Sequence, residues 1–320
     1  MAVPVREQRG RLGGFLVRSA EPRPGGRPGW THRRDLRGLL FIAPFVICFG
    51  AFMLAPLGYA IYQSLFVSQL IGGTHFAGLA NYGQVFASAE FWAGVRRVVV
   101  FAAVQVPVTL GLAFFFAVIF DLGLAKFGRF FRLVFFLPFA VPAVVASVMW
   151  SFLLVPQFGP FTRLADALGF SGTNYFSPGL ILPTVIVIVV WEFTGYNMII
   201  FYTALKAVPR QVVEAALIDG APLWRIIMRV KLPMVRPAIV MLIFLNMIGA
   251  LQLFTEPMIL ATFQPQAISY GFTPTIFVYN TSIGSGEYNL GAAAAVVLGL
   301  VVFVISTGSL AWRRRRRGDR

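Results

Sequence analysis

The sequence predicts an all-α polytopic membrane protein with six transmembrane helices and both termini in the cytoplasm. Three observations carry that prediction. Of 320 residues, 58% are hydrophobic and only 12% charged, with mean hydropathy +0.77; an ordinary soluble domain carries about 25% charged residues. Apolar runs of about twenty residues recur, each long enough to cross a hydrocarbon core roughly 30 Å thick. These runs are continuous rather than alternating, so they read as helices and not as barrel strands. Finally, the intervening loops are alternately basic and nearly free of cations.

Residues 1–38 are rich in Arg, Gly and Pro and lack apolar periodicity, the composition of a disordered cytoplasmic tail. A signal peptide is the competing reading of this tail and the first apolar run. The run from Leu39 to about Tyr62 is too long for a signal core and no small-residue cleavage site follows it, so it reads as a retained span. Arg33 and Arg34 read as flanking inner-side charge rather than a twin-arginine signal. The other spans fall at 98–120, 133–155, 180–203, 238–260 and 288–311. Lys and Arg number 9 in the N-terminal tail, 3 in 121–133, 6 in 204–237 and 6 after Trp312, which is 24 of the chain's 27. Arg96, Arg97 and Arg163 are the remainder. Every second loop is therefore basic, which places the termini and the 204–237 loop inside. The membrane domain spans 39–312, and the closing 313–320 reads as a basic tail whose RRRRR run anchors on anionic lipid. The outer loops, 67–97, 156–179 and 261–287, hold no long exported domain. The formal net charge of +15 is accounted for by this topology and needs no nucleic-acid partner.

Chemistry of the usual enzymatic kinds is missing. Cys48 is the single cysteine and lies inside an apolar run, and His32 and His75 are isolated, so no metal-ligand spacing exists. There is no GxxxxGK[ST], HExxH or GxSxG, so the chain carries no phosphate-binding loop of its own and no cofactor is expected. Prolines punctuate the spans at 44, 56, 107, 138, 142, 183 and 257 and predict kinks. Glu192 near the middle of span four, and Asn246, Gln252 and Glu256 along span five, are polar groups in an apolar setting. A mid-bilayer carboxylate costs about 2.5–3.5 kcal/mol on insertion scales, which favours a polar pathway for Glu192 and Glu256. Asn246 and Asn197 fit equally well as amides gluing helices together, at ~0.6 kcal/mol each. Trp191, Phe193 and Tyr196 cluster beside Glu192. Aromatic faces with polar neighbours suit a sugar ring, while packing against lipid or helices explains any single one equally well.

The segment 206–237, KAVPRQVVEAALIDGAPLWRIIMRVKLPMVRP, is the most charged interruption after the N-terminal tail. Pro209 suits a first helical position, Arg210 to Ile218 a short helix, and Gly220 its C-terminal turn. Pro222 opens a second short helix that Pro233 is expected to end. Ala215 and Ala216 allow close approach by a partner, and Glu214 and Asp219 offer it carboxylates. A helix pair lying on the membrane surface is the alternative.

Glu214, Ala215 and Ala216, then Gly220, then Val230, Lys231, Leu232 and Pro233 resemble the EAA motif of binding-protein-dependent ABC importer permeases, EAA-x3-G-x9-I-x-LP, with Val230 where Ile is usual. FAGLANY (Phe76 to Tyr82) resembles the sugar-permease subgroup, of maltose and glycerol-phosphate type. So do Phe130, Phe131 and Arg132 with Leu137, Pro138 and Pro142; WEFTGYNM (Trp191 to Met198) with Leu205 and Pro209; and YNLGAAAA (Tyr288 to Ala295). The resemblance implies the type I importer permease fold in a bacterial cytoplasmic membrane. Its implied partners are a second permease, two cytoplasmic ATPase subunits and an external solute-binding protein. By the same resemblance Glu214, Ala215, Ala216 and Gly220 would engage the ATPase, and the Asp219 carboxylate beside them joins the expected coupling set. The substrate-pathway positions would be Phe139, Ala143, Trp191, Thr194, Gly195, Asn246, Ala250 and Leu253, to which the cost of a mid-bilayer carboxylate adds Glu192. Several of these are apolar here where a maltose-type site uses polar groups. The rival readings are a permease for glycerol phosphate or another small solute, a membrane-embedded enzyme, and a passive scaffold. The first would favour cations inside the spans, which are lacking; the second needs a convergent acid–base set; the third leaves the buried carboxylates and the patterned loop unexplained.

Overall fold

A computed structural model describes residues 36–69, 72–156, 158–170 and 172–318. Most of the expected N-terminal tail, up to position 35, lies outside the described residues. The chain divides into a unit ending at Met53 and a unit from Leu54 onward. In the first, helix α1 (Leu36–Phe49) contains Pro44 and passes into a π-helical turn, Gly50–Leu54.

The second unit opens with α2 (Ala55–Ser64), where Pro56 sits in the first turn and its missing N–H costs nothing. The outer loop that follows departs from an all-helical pattern. Strands β1 (Phe66–Gln69) and β2 (Gly73–Phe76) pair antiparallel, Phe66 opposite Phe76. Asn81, at the start of α3 (Ala80–Ala87), closes this hairpin onto α2 by donating to the carbonyls of Ser64 (2.8 Å) and Phe66 (2.7 Å).

Helix α4 (Ala89–Asp121) starts nine residues before the expected span, because Ser88 caps it by accepting from the N–H of Phe91 and Glu90 complements its first turn. Its 33 residues rise about 50 Å, more than a bilayer core requires. Arg96 and Arg97 therefore lie on a helix and not in a loop; Arg97 donates to the carbonyl of Gly271 (3.2 Å) and lies over the Phe272 ring.

The expected third span is two helices. α5 (Gly128–Ala140) and α6 (Ala143–Leu153) meet at 96°. Val141 precedes Pro142 and takes extended geometry, since the proline ring crowds the α-conformation of its predecessor. α7 (Pro160–Ala167) follows in the next loop. α8 (Ile181–Lys206) is the central helix, packed along α4 on one side and crossed by α5 on another. Gly195 makes that crossing possible: a Cβ there would meet the carbonyl oxygen of Phe135 at 1.7 Å.

The 206–237 segment folds as α9 (Arg210–Ile218), α10 (Leu223–Ile226), a π-turn (Ile227–Lys231) and α11 (Leu232–Met234). Pro209 and Pro222 are caps just outside their helices rather than first helical residues. Pro233 does not end the second helix, which continues to Met234. The π-turn, in which Leu232 N–H reaches Ile227 O, lets the chain absorb the donor that Pro233 lacks.

The fifth span is also interrupted. α12 (Arg236–Leu251) and α13 (Thr255–Phe263) flank a break at 252–254. Breaking a helix frees carbonyls that lipid cannot satisfy. Here Thr273, the N-cap of α14 (Pro274–Tyr279), donates to Leu253 O at 3.0 Å. A π-turn (Asn280–Gly284) leads to α15 (Tyr288–Gly318), which runs helical into the expected basic tail and packs on α2 and α3. Among the described residues, five helical stretches can cross a membrane by length and composition, and six if α5 and α6 form one span.

Candidate functional site: a polar layer and an exposed helical loop

Two apolar cores stack along α4 and α8. One gathers Phe101, Ile181, Val185, Ile188, Ala250 and Leu260; the other gathers Leu110, Ala117, Met198, Phe201, Leu205 and Leu242. Between them, a layer of buried polar side chains crosses the unit: Gln105 and Thr109 from α4, and Glu192, Thr194 and Asn197 from α8. Gln105 donates to Thr109 Oγ1 (2.9 Å), and Thr194 to the carbonyl of Val190 (2.5 Å). Asn246 of α12 donates to Asn197 Oδ1 and to Leu242 O, both at 2.9 Å, and Asn197 in turn donates to Phe193 O.

Glu192 is 97% buried, and neither carboxyl oxygen has a hydrogen-bond donor against it among the described residues. What faces it is a second carboxyl, that of Glu256 at the start of α13, which is also buried. The tertiary structure thus supplies the partner that Glu192 lacks in the sequence.

A cavity of about 270 Å³ opens beside this layer, lined by Phe101 and Gln105, by Val189, Phe193 and Tyr196, and by Leu245, Asn246, Gly249, Ala250 and Gln252 to Glu256. Phe139 stacks on Tyr196 with ring centroids 4.5 Å apart and meets Phe193 edge-on. Both N–H groups of Asn246 are used within the protein, so its amide can only accept from anything in the cavity. Glu256 adds a carboxyl to this wall, Gln252 and Thr255 add groups that donate as well as accept, and no Lys or Arg lines it among the described residues.

The expected pathway residues divide. Asn246, Ala250 and Leu253 line this cavity and Phe139 buttresses it. Glu192 lies behind Glu256. Trp191, Thr194 and Gly195 line a second, more apolar hollow of about 510 Å³ on another face of α8, with Val108, Phe135, Pro138 and Trp150. Ala143 opens α6 just beyond the bend, and its carbonyl accepts from Ser147. Gln105 was not among the expected residues; an amide inside an apolar run was the available signal.

At one end of the unit, α9 buries none of its residues. Glu214, Ala215, Asp219 and Gly220 are exposed and Ala216 half-buried. Gly220, at φ +74°, closes the helix in a Schellman turn: Ala221 N–H bonds Ala216 O and Gly220 N–H bonds Leu217 O. Leu217, Ile218, Leu223, Trp224 and Met228 are exposed around it. Carboxylates, an apolar fringe and a rigid glycine turn stand together as a surface for a partner.

The model of the family described as "Binding-protein-dependent transport system inner membrane component" matches residues 110–317. The chain belongs to that family. It is a membrane transport component and not an enzyme. A probable ABC transporter permease, y4oQ of Sinorhizobium fredii, is 30% identical over 91% of this chain and 94% of its own. The lactose transport system permease protein LacF of Rhizobium radiobacter is 28% identical over 85% and 92%. The sn-glycerol-3-phosphate transport system permease protein UgpA of Yersinia pseudotuberculosis is 29% identical over 88% and 93%. A chain of a bacterial ABC transporter that imports the acidic polysaccharide alginate superposes with a TM-score of 0.75 at 20% identity, over 88% of this chain and 96% of that one. The type I importer permease fold is thereby shown, in an inner-membrane protein of the binding-protein-dependent class.

Proposed function

We propose that this permease forms one half of the translocation pathway of an ATP-driven importer for a neutral sugar or sugar derivative. It pairs with a second permease, receives solute from an external binding protein and is driven by two ATPase subunits docked on 206–237. The observation that carries the sugar reading is the cavity beside Glu256. Its aromatic wall offers faces to the apolar side of a pyranose ring, and its acceptors, Asn246 and Glu256, suit hydroxyl donors. An anionic solute would meet these acceptors without a lining cation, so the substrates of the glycerol-phosphate and alginate systems fit the lining less well. The basic bias of 204–237 and the exposure of Glu214, Ala215 and Asp219 support a cytoplasmic docking role for the loop. The same lining supports a substrate-pathway role for Asn246, Ala250 and Leu253, with Phe139 behind Tyr196; Gly195 serves the α5–α8 crossing, and Trp191 and Thr194 line the second hollow.

The test is to identify the ligand that co-purifies with the cognate binding protein, then measure uptake of it against glycerol 3-phosphate and a uronate oligosaccharide in cells carrying the whole system. A neutral sugar taken up preferentially is expected. Preferential uptake of either anion would overturn the reading.

A further inference from the structure

Asp121 ends α4 beside the 206–237 loop, and its side chain is 96% buried. Two lysines converge on it from different elements. Lys206, the last residue of α8, places Nζ 3.2 Å from Oδ1 and also donates to the backbone carbonyl of Asp121 at 3.1 Å. Lys231, the last residue of the π-turn in the second arm of the loop, donates to Oδ2 and is itself buried. Close by, Arg132 of α5 lies over the Tyr202 ring of α8 (4.5 Å) and the Phe120 ring of α4 (5.8 Å). A single buried carboxylate thus ties the loop to the ends of the two helices that carry Gln105, Glu192 and Asn197. Among the described residues the first arm of the loop has no buried ion pair of this kind: α9 buries none of its residues, packs on α10 and meets the second core only through half-buried Val213. A push on α9 passes to α10, where Ile226 is buried, and then to Lys231. Displacing Lys231 without Asp121 would separate buried opposite charges, which is far more costly than sliding apolar side chains past each other. The ion pair therefore makes loop and helices move as one body.

We propose that Asp121, gripped by Lys231 and Lys206, is the positioning residue that transmits movement of the 206–237 loop to α4 and α8, and so to the polar layer. This rests on the reading of the loop as the ATPase-docking surface.

The test uses the full complex of permeases, ATPases and binding protein in nanodiscs. A Cys48→Ser, Gln252→Cys background reports on the cavity through its rate of reaction with a membrane-impermeant maleimide, since Gln252 is exposed and lines the cavity. Trapping with ATP and vanadate is expected to change that rate about tenfold in this background. In Asp121→Asn/Lys231→Met, which strands no buried charge on either position, the change should fall below about twofold while trapped nucleotide is undiminished. Charge reversal with the second cation removed, Asp121→Lys/Lys231→Asp/Lys206→Gln, should restore most of the response, which a merely structural role would not predict; Lys206 is replaced because it stands 3.2 Å from the Asp121 carboxylate and would repel a lysine there. A full response in the neutral variant overturns the proposal. Loss of trapped nucleotide in parallel with the response overturns it too, since the pair would then serve assembly and not transmission. Gly220→Leu is run beside these. If it responds fully, the docking reading fails; if it alone is silent, docking stands and the Asp121 link falls.

Discussion

Gly195→Ala is the most demanding test of the helix crossing at the centre of this permease. The added methyl would stand 1.7 Å from the carbonyl oxygen of Phe135, 2.4 Å from its carbon and 2.9 Å from the nitrogen of Phe136. A carbon needs ~3.2 Å or more from such an oxygen, so α5 must withdraw from α8 by about 1.5 Å. The obstruction is backbone, not the end of a flexible side chain, so no rotamer change relieves it. Overpacking a close-packed interior costs about 1–3 kcal/mol, and this contact belongs at the upper end. At ~3 kcal/mol the melting temperature should fall by about 6 °C. The withdrawal would also separate Phe139 from Tyr196, whose rings stack 4.5 Å apart against the cavity, so uptake should fall with stability. Thermal unfolding of the purified complex in detergent and uptake in cells, normalised to the amount of permease in the membrane, measure both effects. A variant that melts and transports like the parent would refute the close crossing of α5 and α8 and the geometry built on it.

Other perturbations separate the contributions of single groups. Glu192→Gln keeps the side chain's shape and gives Glu256 an amide donor; membrane levels should hold while half-saturation for the transported sugar shifts about tenfold, or ~1.4 kcal/mol. Unchanged uptake kinetics would reduce Glu192 to packing. Thr273→Val is nearly isosteric yet removes the cap on Ile276 N–H and the donor to Leu253 O, so about 2 kcal/mol of stability should be lost in a thermal melt. A loss below ~0.5 kcal/mol would mean that the break in the fifth span is satisfied another way. At Gly220 a side chain would find open space, so any cost comes from the backbone at φ +74° alone. Leucine should cost about 1–2 kcal/mol and abolish uptake, whereas asparagine, which tolerates this conformation, should retain it; equal uptake by the two would remove the argument for a rigid turn.

Much of the molecule was legible before any coordinates. The spacing of Glu214, Ala215, Ala216 and Gly220 announced a helix closed by a glycine turn, because a left-handed C-terminal residue is a local requirement. The low charge and the long apolar runs announced a membrane-spanning helical protein, because transfer of side chains into lipid depends on local composition and a run that enters lipid must satisfy its own backbone as a helix. Glu192 and Glu256 stood out singly for the same reason.

What the sequence could not give was which side chains meet. Prolines marked where kinks were possible, but Pro142 breaks the third span by 96° while Pro107 sits inside an unbroken α4. α8 presents an apolar surface of nearly uniform composition, so nothing local distinguished the face of Phe193 and Tyr196, toward the cavity and Phe139, from that of Trp191 and Gly195, toward the second hollow. The Asn197–Asn246 bridge and the hold of Lys231 on Asp121 join residues 49 and 110 positions apart. Hydropathy and spacing are properties of neighbours along the chain and determined by themselves the class, the candidate spans and the loop. The carboxyl pair, the cavity and the buried ion cluster depend on helices packed against one another, so only the tertiary structure could decide them.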